Sequence, residues 1–300
     1  DFTVRGGSAD ASIAGKRLQA EGLAVELRLP HIRLVDGMGG GGSVKTIETA
    51  GRTYIPRVAG WEVSVVHLGI APSVSLALGS VAGIGAARVS SSHYSVIVKD
   101  TAQMMIAGPA LVDWANLGDV SKEELGSSKI HTRNGAIDDE AQSEEEAFAM
   151  AKQFLSYLPE NVEEIPARIP SNDPIDRKEA FLLDVVPKNP RKVYKMRPII
   201  DAVVDSGSFF EIGRKWGKSI ITGLARLDGV PVAVFAEDPM LAENSSDTVI
   251  LHRLSTCHWC TLLIARGFLL ANSQRKTRPF VLDPRHSLPS GKLLCHFAAL

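Results

Sequence analysis

Residues 74–87 read VSLALGSVAGIGAA, and the reading of this stretch decides the fold. Val74, Leu76 and Leu78 alternate with Ser75 and Ala77, the period of a short strand. Gly79-Ser80 is expected to break it, and Val81 to Ala87, almost without side-chain bulk, is expected to open a helix. A strand that stops on glycine and runs into a small-residue helix leaves backbone N–H groups unpaired at the turn. Such amides can hold a developing oxyanion without help from any particular side chain. The same small residues also serve plain tight packing of helix on sheet, and the stretch alone leaves both uses open.

Working outward, 300 residues suffice for one large domain or two ordinary ones. Hydrophobic residues make up 45% and charged residues 22%, an ordinary globular balance. A net charge of −1 provides no broad basic field to gather nucleic acid or anionic lipid. No run approaches the roughly 20 apolar residues of a membrane span. The 3 cysteines all fall after residue 256, which argues for a reducing compartment and against a disulfide scaffold. The chain opens on Asp1-Phe2-Thr3-Val4, inside a plausible strand, so any targeting peptide is expected to lie outside this sequence.

On either side of the opening stretch the pattern alternates. Residues 10–29 space Ala11, Ala14, Leu18, Leu23, Ala24 and Leu27 for one helical face. His31 to Val35 reads as a strand ending at Asp36, followed by the glycine loop 37–42 and a partly helical 43–68. A further strand is expected at Ser95–Lys99 and a helix from Ala110 to Trp114. Ser121 and Glu124 form a capping box. Residues 143–158 form an amphipathic helix with Glu144, Glu145 and Glu146 in its first turn. Helix, strand, glycine turn, repeated, is the signature of stacked α/β units. Residues 159–192, rich in Pro, Asn, Asp and charge, read as a linker. Beyond it come a helix at Ile199–Val204 and two apolar runs about Asp228-Gly229, a hairpin signal. One helix and one hairpin are too little to close a core, so the runs 219–227 and 230–236 are expected to be exposed and the chain to be poorly soluble or to depend on a partner.

Several blocks then resemble one family. They are Asp1 to Val4 with Gly6-Gly7-Ser8, the glycine loop after Asp36, Gly79 to Gly83, Thr101 to Pro109, and Glu124-Leu125-Gly126 with His131. They continue through Leu155 to Pro159, Tyr194 to Arg197, Asp205 to Glu211 and Ile221 to Gly229. Over roughly residues 1–240 the chain resembles the carboxyltransferase (β) subunit of biotin-dependent acyl-CoA carboxylases, of the propionyl-CoA and methylcrotonyl-CoA type. The resemblance implies an α/β, crotonase-like spiral of ββα units. Residues 1–190 would be most of an acyl-CoA-binding first lobe and 191–240 the beginning of a second, with 241–300 a divergent tail. It implies acyl-CoA as substrate and biotin as carboxyl donor, delivered on a carrier. It also implies a biotin carboxylase or carrier partner, homo-oligomers, and a mitochondrial matrix or bacterial-type cytoplasmic setting. Carboxyl transfer in the family passes through a thioester enolate resting on paired backbone amides. By position that pair is Gly83 and Ile84, with Ile84 standing where the family has a second glycine. Gly39 and Gly40 would neighbour CoA. The biotin-gripping pair of the second lobe has no counterpart after Asp238-Pro239. The alternative is therefore an inactive remnant that binds CoA or a partner subunit without catalysis.

Other motifs read weakly. The loop 37–42 satisfies G-x-G-x-x-G through composition alone. Gly213 to Ser219 is one residue short of a P-loop. Cys257, His258, Cys260, Cys295 and His296 fit no standard zinc spacing, so no metal is expected. Ser90-Ser91-Ser92-His93 reads as packing, and the acids of 138–146 as a solvated helix start. A crotonase-like hydratase would need a carboxylate aimed at the acyl group, and the matched motifs offer none.

Overall fold

The computed structural model describes residues 11–38, 48, 51, 61–174, 176–189, 191–241 and 295–299. It divides into two compact units, residues 1–156 with 160–162, and residues 157–159 with 163–300.

In the first unit α1 (Ala11–Glu26) leads to β1 (His31–Met38), and α2 (Trp61–Leu68) to β2 (Ser73–Ala82). Then come α3 (Ile84–Ser90), β3 (Tyr94–Val98) and β4 (Gln103–Met105). The short helices α4 (Pro109–Trp114), α5 (Lys122–Gly126) and α6 (Ser128–Asn134) precede β5 (Asp139–Ala141) and α7 (Glu144–Ser156). The sheet runs β1-β2-β3-β5, with β4 also on β2, and every pairing is parallel. Parallel sheets are covered on both faces, which is why β2 is buried continuously from Ser73 to Ala77 rather than alternately. Tyr94 and Phe154 stack at 4.9 Å where α7 covers β3. Ala147 and Ala151 complete the buried stripe of that helix, and Phe148 and Leu155 are half-buried. The capping box forms as expected: Ser121 Oγ accepts the Glu124 amide, and the Glu124 carboxylate accepts the Ser121 amide at 2.8 Å.

The central strand is longer than its pattern suggests. Gly79-Ser80 does not break β2, because a second partner takes over there. Val74 to Ala77 pair with β3, and Ser80 to Ala82 pair with β4. Gly79 is needed for another reason: a Cβ on it would overlap the Asp36 carboxylate, at the point where the β1–β2 register slips. The helix accordingly starts at Ile84 and not at Val81.

The second unit holds α8 (Arg197–Val203), β6 (Phe210–Ile212), β7 (Ile220–Leu227), β8 (Val230–Glu237) and β9 (Cys295–Ala299), the last inside the stretch expected to be a tail. The four strands form one antiparallel sheet. Asp228 and Gly229, both at positive φ (51° and 76°), close the β7–β8 hairpin as a two-residue turn of that sign demands. One expectation needs correcting. The hairpin is not exposed: Ile221, Ala225, Val232, Val234 and Ala236 pack with Met196, Ile199, Ile200 and Val204 into a core. The division between the two units falls near residue 160. Leu182 and Val185, from the expected linker, cover that core, and the Arg177 guanidinium donates to the carbonyls of Ala202 and Val204 at 2.8 and 2.7 Å. A polar composition concealed these anchors.

Candidate functional site

Three parallel strands end level with one another in the first unit. Met38 pairs with Ala82, and Ala82 with Met105. Ligands of open parallel sheets sit beyond such carboxyl ends. Immediately past Ala82 the chain turns through Gly83 and enters α3. Gly83 adopts φ 59°, ψ −123°, a conformation open to glycine and strained for other residues. Its amide donates to the Met105 carbonyl at 3.0 Å, and its carbonyl accepts the Ala87 amide at 3.2 Å. The first hydrogen bond of α3 is therefore made by residue 87. Ile84, Gly85 and Ala86 occupy the first turn, where a helix has no acceptor of its own for their amides.

This geometry corrects half of the expected pair. The Gly83 N–H is not bare, because it is engaged by β4. Ile84, half-buried, stands at the first helical position, immediately after Gly83. Gly85 lets the helix approach β1 closely: a Cβ on it would lie 3.2 Å from the Gly37 carbonyl and from Val81 Cγ1. Gly39 and Gly40 lie outside the described residues, as do Cys257, His258 and Cys260.

The position of Met105 is in turn built by residues whose roles were not legible in the sequence. His131 Nε2 donates to the Met104 carbonyl at 2.6 Å. Gly126 packs so closely that a Cβ would lie 2.5 Å from that same oxygen. Ser80 Oγ donates to Gln103 Oε1 at 2.9 Å across the β2–β4 ladder. Gly126 and His131 stood among the matching blocks, but nothing in their spacing announced that they brace a strand end.

The competing motifs become structural. The Ser73 amide donates to His93 Nδ1 at 3.0 Å, and burial above all, with nearby His67, lowers the ring to about 4. Ser92 Oγ donates to the Val89 carbonyl at 2.7 Å. Asp138 accepts both the amide and the hydroxyl of Ser95 at 2.8 Å, and Tyr94 OH donates to Asp139 at 3.1 Å. No helix among the described residues is long and apolar enough to cross a membrane.

Known proteins with this arrangement are informative. The carboxyl transferase domain model matches residues 1–287, beyond the point near 240 where the resemblance was expected to stop. The propionyl-CoA carboxylase beta chain of Roseobacter denitrificans is 32% identical over 248 residues, covering 82% of this chain and 48% of the relative. The mitochondrial propionyl-CoA carboxylase beta chain of Homo sapiens is 32% identical over 249 residues, covering 82% and 45%. The chain thus spans about half the length of the relatives it matches. Among solved structures, the transcarboxylase 12S hexamer with hydrolysed methylmalonyl-coenzyme A superposes with a TM-score of 0.69 at 26% identity, over 80% of this chain and 47% of that one. A single-chain, multi-domain long-chain acyl-CoA carboxylase superposes with a TM-score of 0.66 at 28% identity, over 80% and 23%. The parallel sheet with its crossing helices is the crotonase-like α/β fold of these carboxyltransferases. By the family match over nearly its whole length, the chain belongs to the carboxyl transferase domain family.

Proposed function

We propose that this chain carries the acyl-CoA side of a biotin-dependent carboxyltransferase, in which a carboxyl group moves to the α-carbon of a CoA thioester through its enolate. The observation that carries the reading is the level ending of β1, β2 and β4 before the first turn of α3, in a chain of this family. The thioester oxygen gains negative charge as the α-proton leaves. The Ile84 amide, with Gly85 beside it in place of Gly83, is the donor set for that oxygen. Fixed dipoles of this kind stabilise the enolate without reorganising, and each donor contributes about 10²–10³ in rate. The Met105 carbonyl holds Gly83 in its glycine-only conformation and so sets the direction of α3. Carboxybiotin supplies the carboxyl group and the base when it is bound. Its site has no counterpart among the matched motifs, and no step here is assigned to the second unit.

The partner in this reading is a biotin carrier. Self-association is part of it as well. The hexamer assembly named for transcarboxylase 12S supports this, as does the exposure of Ile106 (89%), Trp114 (84%) and Leu117 (77%) just beyond the strand ends. The setting in this reading is a mitochondrial matrix or bacterial-type cytoplasm, in keeping with the relatives' names.

The test is titration of the full chain with propionyl-CoA labelled with ¹³C at the thioester carbonyl. Calorimetric binding with a downfield carbonyl shift is expected. Binding without a shift would favour the non-catalytic remnant, for which coverage of half the relatives is the supporting observation. Absence of binding would sink the carboxyl-transfer reading and leave the remnant only as a partner-binding chain.

A further inference from the structure

Strand β4 is short and paired on one side. Among the described residues its strand partner is β2, and its opposite edge carries no strand. Successive carbonyls of a strand point to opposite edges. The Met105 carbonyl points to β2, where it accepts the Gly83 amide at 3.0 Å, so the Met104 carbonyl points to the open edge. Met104 is 4% exposed. A carbonyl so buried is costly without a donor, and strand pairing supplies none there.

The imidazole of His131 takes the place of the missing strand. Its Nε2 lies 2.6 Å from the Met104 oxygen, and because a carbonyl only accepts, Nε2 carries the proton. In the neutral ring Nδ1 is then the acceptor, and Asn134 Nδ2 lies 3.5 Å from it. The orientation of that side-chain amide is fixed at its other end, where Asn134 Oδ1 accepts the Ala136 amide at 3.0 Å. From β4 the connection continues to both ends of α3. The Met105 carbonyl holds Gly83, the residue before that helix, and Met104 Sδ accepts from Ser90 Oγ, its last residue, at 3.8 Å.

We propose that His131 is a positioning residue for the turn that holds the thioester enolate. It acts through the peptide between Met104 and Met105: the imidazole anchors one carbonyl so that the next can hold Gly83 and aim the first turn of α3. For its chemistry the inference rests on the carboxyl-transfer reading. The coupling of residue 131 to residue 83 rests on the hydrogen bonds alone.

The test compares three variants of the full chain. His131→Leu removes the donor, and His131→Gln keeps an N–H at a similar reach. Thr132→Val removes a different buried hydrogen bond of α6, from Thr132 Oγ1 to the Ser128 carbonyl at 2.7 Å, and so controls for lost stability in that helix. Amide hydrogen exchange at Gly83 reads the coupling without any ligand. His131→Leu is expected to speed it roughly tenfold or more relative to Thr132→Val, and His131→Gln to stay within about threefold of the unaltered protein. With propionyl-CoA labelled with ¹³C at the thioester carbonyl, His131→Leu should bind within about threefold of the unaltered protein and lose most of the downfield shift. Its turnover with carboxybiotin should fall roughly tenfold or more. His131→Asn, whose amide stops short of the Met104 oxygen, replaces the leucine variant if that one does not fold, and is held to the same outcomes. Gly83 exchange no faster than in Thr132→Val overturns the proposal, as does faster exchange with carbonyl shift and turnover intact. If the unaltered protein gives no shift, the carboxyl-transfer reading fails and the role in catalysis falls with it, whereas Gly83 exchange still decides whether His131 holds the turn.

Discussion

Replacing Ile84 by proline removes one candidate donor and little else. Ile84 is the first residue of α3, the position where proline fits a helix best, because the N–H it lacks has no helical acceptor there. The first bond of α3 runs from the Ala87 amide to the Gly83 carbonyl, so no helix bond is lost. The side chain is only half-buried, and shortening it sacrifices about 1 kcal/mol of burial or less. Loss of an oxyanion donor, by contrast, lowers turnover by about 10²–10³, equivalent to about 2.7–4 kcal/mol in the barrier. The two effects separate in a carboxyl-transfer assay with propionyl-CoA and carboxybiotin, run beside calorimetric CoA affinity. Ile84→Ala serves as control, since it shortens the side chain and keeps the amide. The proline variant should bind CoA within a few-fold of the alanine variant and turn over at least about a hundredfold more slowly. Equal turnover in the two would refute the role given to this amide. The ¹³C carbonyl shift of bound propionyl-CoA reports the same contact before any bond is broken.

Three further outcomes are expected. Gly126→Ala places a Cβ 2.5 Å from the Met104 carbonyl and must displace β4, so a loss of about 1–3 kcal/mol in denaturant titration should accompany a disproportionate fall in turnover. At the hairpin tip, partial burial pushes the Asp205 carboxyl up, but the Gly229 and Asp228 amides outweigh it and hold the group below its usual value. A carboxyl depressed in the folded state stabilises fully above its unfolded pKa of about 3.9, and the benefit is lost as pH falls through the folded value. Asp205→Asn should therefore lower stability at neutral pH and flatten the acid limb below about pH 4, and an unchanged limb would contradict this. Trp114→Ser with Ile106→Ser removes the most exposed apolar side chains near the strand ends and should shift sedimentation toward smaller species, leaving the melting temperature nearly unchanged.

Much of this molecule was legible from local pattern. Apolar spacing identified α1 and α7, Ser121 and Glu124 announced their own cap, and Asp228-Gly229 announced a turn with two positive φ values. These features depend on neighbours a few residues away, which a linear reading contains. Family likeness likewise rested on short blocks, and the carboxyl transferase domain model matches residues 1–287.

What the linear order could not contain is which partner each group meets. Gly79 looked like a strand breaker, yet β2 continues through it because β4 arrives to pair with Ser80–Ala82. The hairpin of the second unit looked uncovered, yet α8 and Leu182 and Val185 bury it. The amide of Gly83 looked free, yet Met105, set in place by His131 and Gly126 from more than twenty residues downstream in the chain, accepts it. Sequence determines each residue's capacity to donate, accept, bend or fill space. Only the tertiary fold decides which of those capacities is already occupied, because hydrogen bonds and packing are satisfied between segments that are remote along the chain.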